Sequence, residues 1–151
     1  MTRLGVKNIR QLSLSELEQY FESLGEKKFR ARQVHEWLWQ KGAGSFEAMS
    51  NLSKELRQWL GEQFTLPALT IDATQHSADG TIKSRFRTHD GHLVEGVLIP
   101  TDERKTACVS SQIGCSLSCR FCATGYMERK RNLEFDEIYD EVVLINRQSE
   151  Q

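Results

Sequence analysis

Long apolar runs are absent from this 151-residue sequence. No stretch approaches the roughly 20 apolar residues that a transmembrane helix needs, so no membrane association is expected. The first residues, MTRLGVKNIRQLS, also lack the apolar stretch and cleavage site of a secretory signal, which favours a cytoplasmic protein. Cysteine is scarce as well, and all four cysteines lie within 15 positions. In the cytoplasm such cysteines are usually reduced, catalytic or metal-bound.

Neither sign of charge dominates, since 20 basic residues face 21 acidic ones. The distribution is nevertheless uneven. Residues 101–132 carry six basic and three acidic side chains, a local excess of +3, whereas residues 133–151 carry one and six, an excess of −5. Because phosphate binding depends on a local basic patch, the net charge of −1 neither excludes nor demonstrates a nucleic-acid partner.

Helical periodicity dominates residues 1–64. Ser13 and Glu16 form a capping-box pattern before an amphipathic segment that ends near Gly25. A second helix is predicted at about 29–41 and a third from Asn51 or Ser53. We therefore predict a small helical domain over residues 1–64, whose core includes the three tryptophans, Trp37, Trp39 and Trp59.

Period-two alternation replaces the helical pattern over residues 65–100. Two alternating segments, 82–87 and 93–99, are separated by His89-Asp90-Gly91, and Ala78-Asp79-Gly80 precedes the first of them. Such sequences favour tight turns between paired strands. A three-stranded antiparallel meander over about 69–99 is the prediction.

Residues 101–151 contain a possible strand at 106–110, the cysteines, and a helix at about 134–147 that is predicted to bury Ile138, Val142 and Ile145. This strand and helix have no evident partner. They resemble in order the first βα unit of a parallel α/β architecture, which needs further units to cover both faces of its sheet. The predicted fold class is thus α+β leading into α/β, in a truncated chain.

The four cysteines are Cys108, Cys115, Cys119 and Cys122, and the last three form CxxxCxxC. Most four-iron clusters take four thiolates, so three closely spaced cysteines would leave one iron open to S-adenosylmethionine. A tetrahedral zinc site is the alternative, with its fourth ligand from Cys108 or a histidine. The histidines are His35, His76, His89 and His92, and none repeats the paired spacing expected of a zinc site. Disulfides are a weaker alternative in a cytoplasmic protein.

A wider string carries a more specific resemblance. The segment CVSSQIGCSLSCRFCATG, followed by Arg131-Asn132-Leu133, closely resembles the RlmN/Cfr family of radical S-adenosylmethionine RNA methyltransferases. The resemblance extends upstream to Glu95 in LVEGVLIP, to FRARQVHEWLWQKG and to NLSKELR, so that it covers essentially the whole chain. It implies that residues 101–151 begin a radical-SAM partial TIM barrel, after a β meander (65–100) and an RNA-contacting helical domain (1–64).

The resemblance also implies cofactors and chemistry. Cys115, Cys119 and Cys122 match the ligands of a 4Fe-4S cluster that binds S-adenosylmethionine. One S-adenosylmethionine methylates a cysteine near the C-terminal end of the enzyme, and a second yields the radical that activates this methyl group. The methylene then adds to adenine and links protein to RNA covalently.

Two further residues match the steps that release the product. Glu95 matches the proton acceptor, and Cys108 matches the cysteine that resolves the intermediate by forming a disulfide bond. The residues alone favour a solvated strand residue at Glu95. At Cys108 they favour a buried strand cysteine and a functional cysteine equally.

The expected substrates are 23S rRNA and tRNA, methylated at adenine carbon 2 as in the RlmN type, with carbon 8 as the alternative, Cfr-like reaction. The expected protein partner is an electron donor such as flavodoxin, and the expected state is monomeric. The basic residues Arg120, Arg129, Lys130 and Arg131 either contact RNA phosphate or form a solvated face. No cysteine follows Cys122, so residues 1–151 alone are predicted to be inactive. A non-catalytic zinc-binding RNA-interaction module is the alternative from another class.

Overall fold

The computed structural model describes residues 7–151, which divide along the chain into two compact units, with the boundary between Pro67 and Ala68. Each unit has a hydrophobic core of its own. Among the described residues, no helix is both long and apolar enough to cross a membrane.

The first unit contains the three helices that the periodicity predicted. Its elements are β1 (Lys7–Asn8), a 3₁₀ turn (Ile9–Gln11), α1 (Leu14–Ser23), α2 (Lys28–Trp39), α3 (Lys54–Gln63) and β2 (Phe64–Thr65). The two short strands pair in parallel, which the sequence did not predict. Two residues a strand are too few for an alternation pattern to show.

Local side-chain chemistry fixes where these helices begin. Ser13 and Glu16 form the predicted capping box: the Glu16 amide donates to Ser13 Oγ at 3.2 Å and the Ser13 amide donates to Glu16 Oε2 at 2.7 Å. Ser53 caps α3 through a single bond, in which its hydroxyl oxygen accepts from the Leu56 amide at 3.2 Å. Gly25, with φ +77°, follows α1 in the left-handed conformation that glycine favours.

The core of this unit consists of the apolar faces of the helices. Leu17, Phe21, Val34, Leu38 and Leu60 are fully buried. The partly buried residues Trp37, Trp39 and Trp59 pack against this core, which confirms the role predicted for them.

The second unit contains a four-stranded antiparallel sheet in the order β3-β4-β5-β6 and one long helix. Its elements are β3 (Thr70–His76), β4 (Ile82–Arg87), β5 (Leu93–Pro100), β6 (Lys105–Cys108), β7 (Gln112–Ile113), a 3₁₀ turn (Ala123–Tyr126), β8 (Arg131–Asn132) and α4 (Phe135–Ser149). The predicted meander is confirmed as β3 to β5, and Gly80 and Gly91 have positive φ in its turns. Strands β7 and β8 pair separately.

The fourth strand corrects one prediction. Strand β6 does have a partner, since it pairs antiparallel with β5 and aligns Val97 with Cys108. A tight turn, in which the Thr101 amide donates to the Arg104 carbonyl at 2.8 Å, returns the chain at once. So short a connection permits only an antiparallel pair, because a parallel pair needs a crossover. Within residues 7–151, β6 therefore belongs to an antiparallel sheet of α+β type and not to a parallel βα unit. The barrel stays a prediction.

Helix α4 also has a partner, contrary to the prediction. Ile145 is buried in one core with Phe86, Val94 and Leu98 of the sheet. Gly96 makes this packing possible: a Cβ there would lie 2.8 Å from the Phe86 ring and 2.9 Å from Ile145 Cδ1. The predicted buried face of the helix was partly wrong, because Val142 is exposed.

Candidate active site

The three CxxxCxxC cysteines lie in the segment between β7 and β8. Pairing of these short strands brings the ends of the segment together, and the Cys115 amide donates to the Met127 carbonyl at 3.4 Å. Inside the segment the Cys122 amide donates to the Cys119 carbonyl at 3.2 Å, and Cys122 precedes the 3₁₀ turn. We call residues 114–130 the cysteine loop.

Two glycines allow the backbone of the cysteine loop to approach itself closely. A Cβ on Gly125 would lie 2.5 Å from the Cys119 carbonyl oxygen and 2.8 Å from its nitrogen. Gly114 has φ +70°, and a Cβ there would lie 2.1 Å from the Glu128 carbonyl oxygen. Any side chain at either position would displace backbone, so the compact shape of the loop requires glycine at both.

The donor set of the loop consists of free thiols. Cys115, Cys119 and Cys122 are partly exposed, and Cys108 is free and exposed, so the strand cysteine is not buried. Next to these thiols, Phe121 is 93% exposed. Three accessible thiols on a compact loop fit a cluster bound through three irons, because the chemistry of iron-sulfur ligation requires thiolates.

One group of potential ligands for a single ion lies outside the cysteine loop. Within residues 7–151, the acidic, histidine and cysteine side chains that are close enough in threes to share an ion are His89, Asp90 and Glu137. Thiolates on different irons of a cluster are separated by the cluster itself, whereas zinc ligands converge on one point, so metal content distinguishes the two kinds of site at the cysteines.

Glu95 and Cys108 lie on one face of the sheet. Alternate residues of a strand share a face, so Glu95 shares that of Val97, which aligns with Cys108 across β5 and β6. Helix α4 covers the opposite face, where Val94 and Leu98 are buried. We call the side of the sheet that carries the exposed residues Glu95 and Cys108 the open face. A solvated carboxylate, as the strand pattern alone favoured, is what the structure contains: Glu95 is exposed and its Oε1 lies 3.1 Å from Lys83 Nζ.

Ser110 connects three elements next to these two residues. Its hydroxyl donates to the Glu95 carbonyl at 2.7 Å, and its amide donates to Glu141 Oε2 of α4 at 2.8 Å. Glu141 is fully buried, and burial raises the pKa of its carboxyl to about 8, although the Ser110 amide opposes this shift and nearby Glu137 adds to it. This shift favours the protonated form of Glu141 at neutral pH. Sequence analysis missed this residue because a carboxylate on an amphipathic helix reads as solvated.

Arg131 directly follows the cysteine loop and binds two carboxylates. Its guanidinium donates to Glu137 through two bonds of 2.8 Å and to Asp90 through two bonds of 2.9 Å. Hydrogen bonding by Arg131 holds the pKa of Asp90 far below its usual range. Burial alone would raise the pKa of Glu137, but the bonds from Arg131 and the Glu134 amide outweigh it and lower that pKa. Arg131 is thus committed to two carboxylates and is not free for RNA phosphate.

The other residues of the predicted basic cluster are more accessible. Arg129 donates to Asn132 Oδ1 at 2.7 Å, and Lys130 pairs with Glu128. Arg120 makes no side-chain hydrogen bond or ion pair within residues 7–151. Its contact with RNA stays a prediction.

The comparisons with known proteins agree with this architecture. Residues 7–66 match the model of the ribosomal RNA large subunit methyltransferase N-terminal domain. A probable dual-specificity RNA methyltransferase RlmN of Cytophaga hutchinsonii is 60% identical over 150 residues, which cover 99% of this chain and 41% of the relative. The dual-specificity RNA methyltransferase RlmN of an Anaeromyxobacter species is 49% identical over 140 residues, which cover 93% and 37%.

A solved structure extends the similarity to the fold. The crystal structure of a radical SAM methyltransferase from Sphaerobacter thermophilus matches with a TM-score of 0.82 and 39% identity, over 95% of this chain and 42% of that one. The fold described above is therefore that of part of a radical SAM methyltransferase. The chain belongs to the RlmN family and spans about two-fifths of the length of the curated relatives that it matches.

Proposed function

We propose that this chain is the N-terminal part of a radical SAM methyltransferase that methylates carbon 2 of adenine in 23S rRNA and tRNA through a methyl-cysteine intermediate. The names of the matched relatives, dual-specificity RNA methyltransferases, support this substrate class. The observation that carries the proposal is the placement of Glu95 and Cys108 on one open face, on paired strands directly before the cysteine loop.

The cysteine loop would hold the cofactors. Cys115, Cys119 and Cys122 would ligate a 4Fe-4S cluster, which would supply the electron for cleavage of S-adenosylmethionine. The chain's own contribution is to keep three thiols on a backbone that Gly114 and Gly125 allow to fold tightly. An electron donor such as flavodoxin, a monomeric state and a cytoplasmic location belong to the same proposal.

The open face would perform the later steps on the RNA-bound base. The new carbon-carbon bond makes carbon 2 tetrahedral and leaves one unpaired electron on the ring, which must return to the electron-transfer chain. The Glu95 carboxylate accepts the proton from carbon 2, and the electron pair of the C–H bond then restores the aromatic ring. The Cys108 thiolate then attacks the sulfur that bridges protein and RNA. A sulfur-sulfur bond forms, the sulfur-carbon bond breaks, and the carbon takes up a proton to become the methyl group.

Product analysis tests the proposed reaction. RNA treated with the full-length protein, S-adenosylmethionine and a reductant should contain 2-methyladenosine in digests analysed by mass spectrometry, and Glu95→Gln and Cys108→Ala should lose it. Detection of 8-methyladenosine instead would support the Cfr-like alternative. Residues 1–151 alone are expected to give no methylated product, because no cysteine follows Cys122 to carry the methyl group.

A further inference from the structure

A shallow depression on the open face surrounds the predicted proton acceptor. It lies across three neighbouring strands and is lined by Ala73, Gln75, Lys83, Arg85 and Glu95. Lys83 and Arg85 alternate along β4 with Ser84 and Phe86, which are buried on the α4 side. The depression therefore opens away from the core, on the same side as Cys108. Ala73 contributes only a small side chain to its lining.

Lys83 is the cation that faces Glu95 in this depression. Its Nζ lies 3.1 Å from Glu95 Oε1. Arg85 is aligned directly opposite Glu95 in the strand register, but its Nε donates instead to Asp72 Oδ2 at 2.6 Å. Asp72 also binds Arg87, so this carboxylate keeps both guanidinium groups turned to β3.

The ion pair is poorly suited to a purely stabilising role. The Lys83 and Glu95 side chains are 47% and 54% exposed, and exposed pairs add little to stability. The same pair would gain strength once a ligand covered the face and excluded water, because the Coulomb interaction grows as the local dielectric falls. Its geometry places Glu95 Oε1 at Lys83, while Glu95 itself lines the depression.

Gln75 supplies neutral hydrogen-bonding groups at the rim. It lies on β3, aligned with Lys83, is exposed, and its amide makes no side-chain hydrogen bond within residues 7–151. A glutamine amide offers two donors and an acceptor. That set matches the paired donor and acceptor on the edge of adenine, which glutamine commonly contacts through two bonds.

We propose that this depression receives the target adenine nucleotide, with Lys83 as the positioning residue of Glu95 and Gln75 as a contact to the base. This inference rests on the proposed function, since it assigns neighbours to the proposed proton acceptor. Lys83 orients the carboxylate towards the ring carbon, and Gln75 orients the ring towards the carboxylate. Neither residue was singled out by the sequence, because both read as polar positions on an exposed strand.

The test of Lys83 uses the full-length protein with its cluster. Lys83→Met removes the charge at similar length, Lys83→Arg keeps the charge, and Lys105→Met is the matched control on β6, outside the depression. Lys83→Met is expected to form methylated adenosine about tenfold more slowly or worse, because a small displacement of a proton acceptor is costly. A covalent protein-RNA species should accumulate on denaturing gels, since the earlier steps continue, and Lys83→Arg should restore most of the rate.

Outcomes separate the inference from the proposed function. If Lys83→Met matches Lys105→Met in rate and traps no RNA while Glu95→Gln is inactive, the positioning role is overturned and the role of Glu95 stands. If Glu95→Gln methylates RNA normally, the proposed proton acceptor is wrong and the inference falls with it. Thermal unfolding of each variant checks that the exposed substitutions leave the fold intact.

Gln75 is tested by binding, without turnover. Gln75→Leu should weaken the affinity of the full-length protein, with its cluster but without S-adenosylmethionine, for unmethylated tRNA about fivefold in fluorescence anisotropy, because two hydrogen bonds to the base are lost. Thr74→Leu, at the neighbouring exposed position on β3 that alternation places on the other side of the sheet, is the control and should bind like the unchanged protein. Equal affinities for the two variants would contradict the contact.

Discussion

Glu141 shows how one buried residue links the core to the open face. The Glu141 carboxyl, on α4, accepts a hydrogen bond from the Ser110 amide. The Ser110 hydroxyl in turn donates to the Glu95 carbonyl. A protonated carboxyl can occupy this site without the cost of burying a charge. Ser110 therefore links Glu141 of the helix to Glu95 of β5 through two hydrogen bonds.

The pH dependence of the free energy of unfolding should reveal this buried proton. The pKa of Glu141 is raised from about 4.5 to about 8, so the folded state binds its proton more tightly than the unfolded state. Its contribution to the free energy of unfolding is full below the lower value and declines as pH rises towards the higher one. The side chain of Glu141→Gln is always neutral. Between pH 5 and pH 8, the free energy of unfolding of this variant should therefore rise relative to that of the unchanged protein by more than about 1 kcal/mol.

Urea unfolding of residues 1–151 at several pH values measures this difference. Glu103→Gln is the control, since Glu103 is exposed and lies in the turn before β6. A constant difference between Glu141→Gln and the unchanged protein over this range would contradict the buried proton.

The cysteine loop is the element whose shape depends most directly on single atoms. Gly125→Ala would place a Cβ within 2.5 Å of the Cys119 carbonyl oxygen, so the loop must open. We expect this variant to lose at least about half of its reconstituted iron, because ligand positions govern metal retention. Gly61→Ala is the matched control: its Cβ would meet nothing nearer than 3.9 Å, and alanine favours the helix. Equal iron in both variants would show that the loop does not need its close backbone contact.

Helix α4 and the sheet should behave as one folded element. Leu98 is 5% exposed between them, whereas its neighbour Ile99 is 41% exposed on the open face. Leu98→Ala should lower the free energy of unfolding by about 2–5 kcal/mol, since it leaves a cavity in the shared core. Ile99→Ala should cost less than about 1 kcal/mol. Denaturant unfolding measures both, and similar losses would contradict the packing of α4 on this face.

At the scale of the whole molecule, local patterns were predictable and long-range pairings were not. Period and capping residues predicted α1 to α3 and the meander correctly. The antiparallel pairing of β6, the burial of Glu141 and the ties from Arg131 to Asp90 depend on residues distant in sequence. No periodicity encodes such contacts.

The candidate site divides in the same way. The cysteine spacing and the family string predicted the thiols and Glu95 as site residues. The shared face of Glu95 and Cys108 follows only from the register between β5 and β6. Lys83 and Gln75 became evident only when three strands were placed side by side.

The central claim is that the cysteine loop binds an iron-sulfur cluster, and metal content tests it most directly. Residues 1–151 are reconstituted anaerobically with iron and sulfide and then analysed for iron, sulfide and zinc together with the absorption spectrum. The account predicts about four irons and four sulfides per chain, lost in Cys119→Ala. One zinc per chain with no sulfide would contradict it and favour a zinc-binding RNA-interaction module instead.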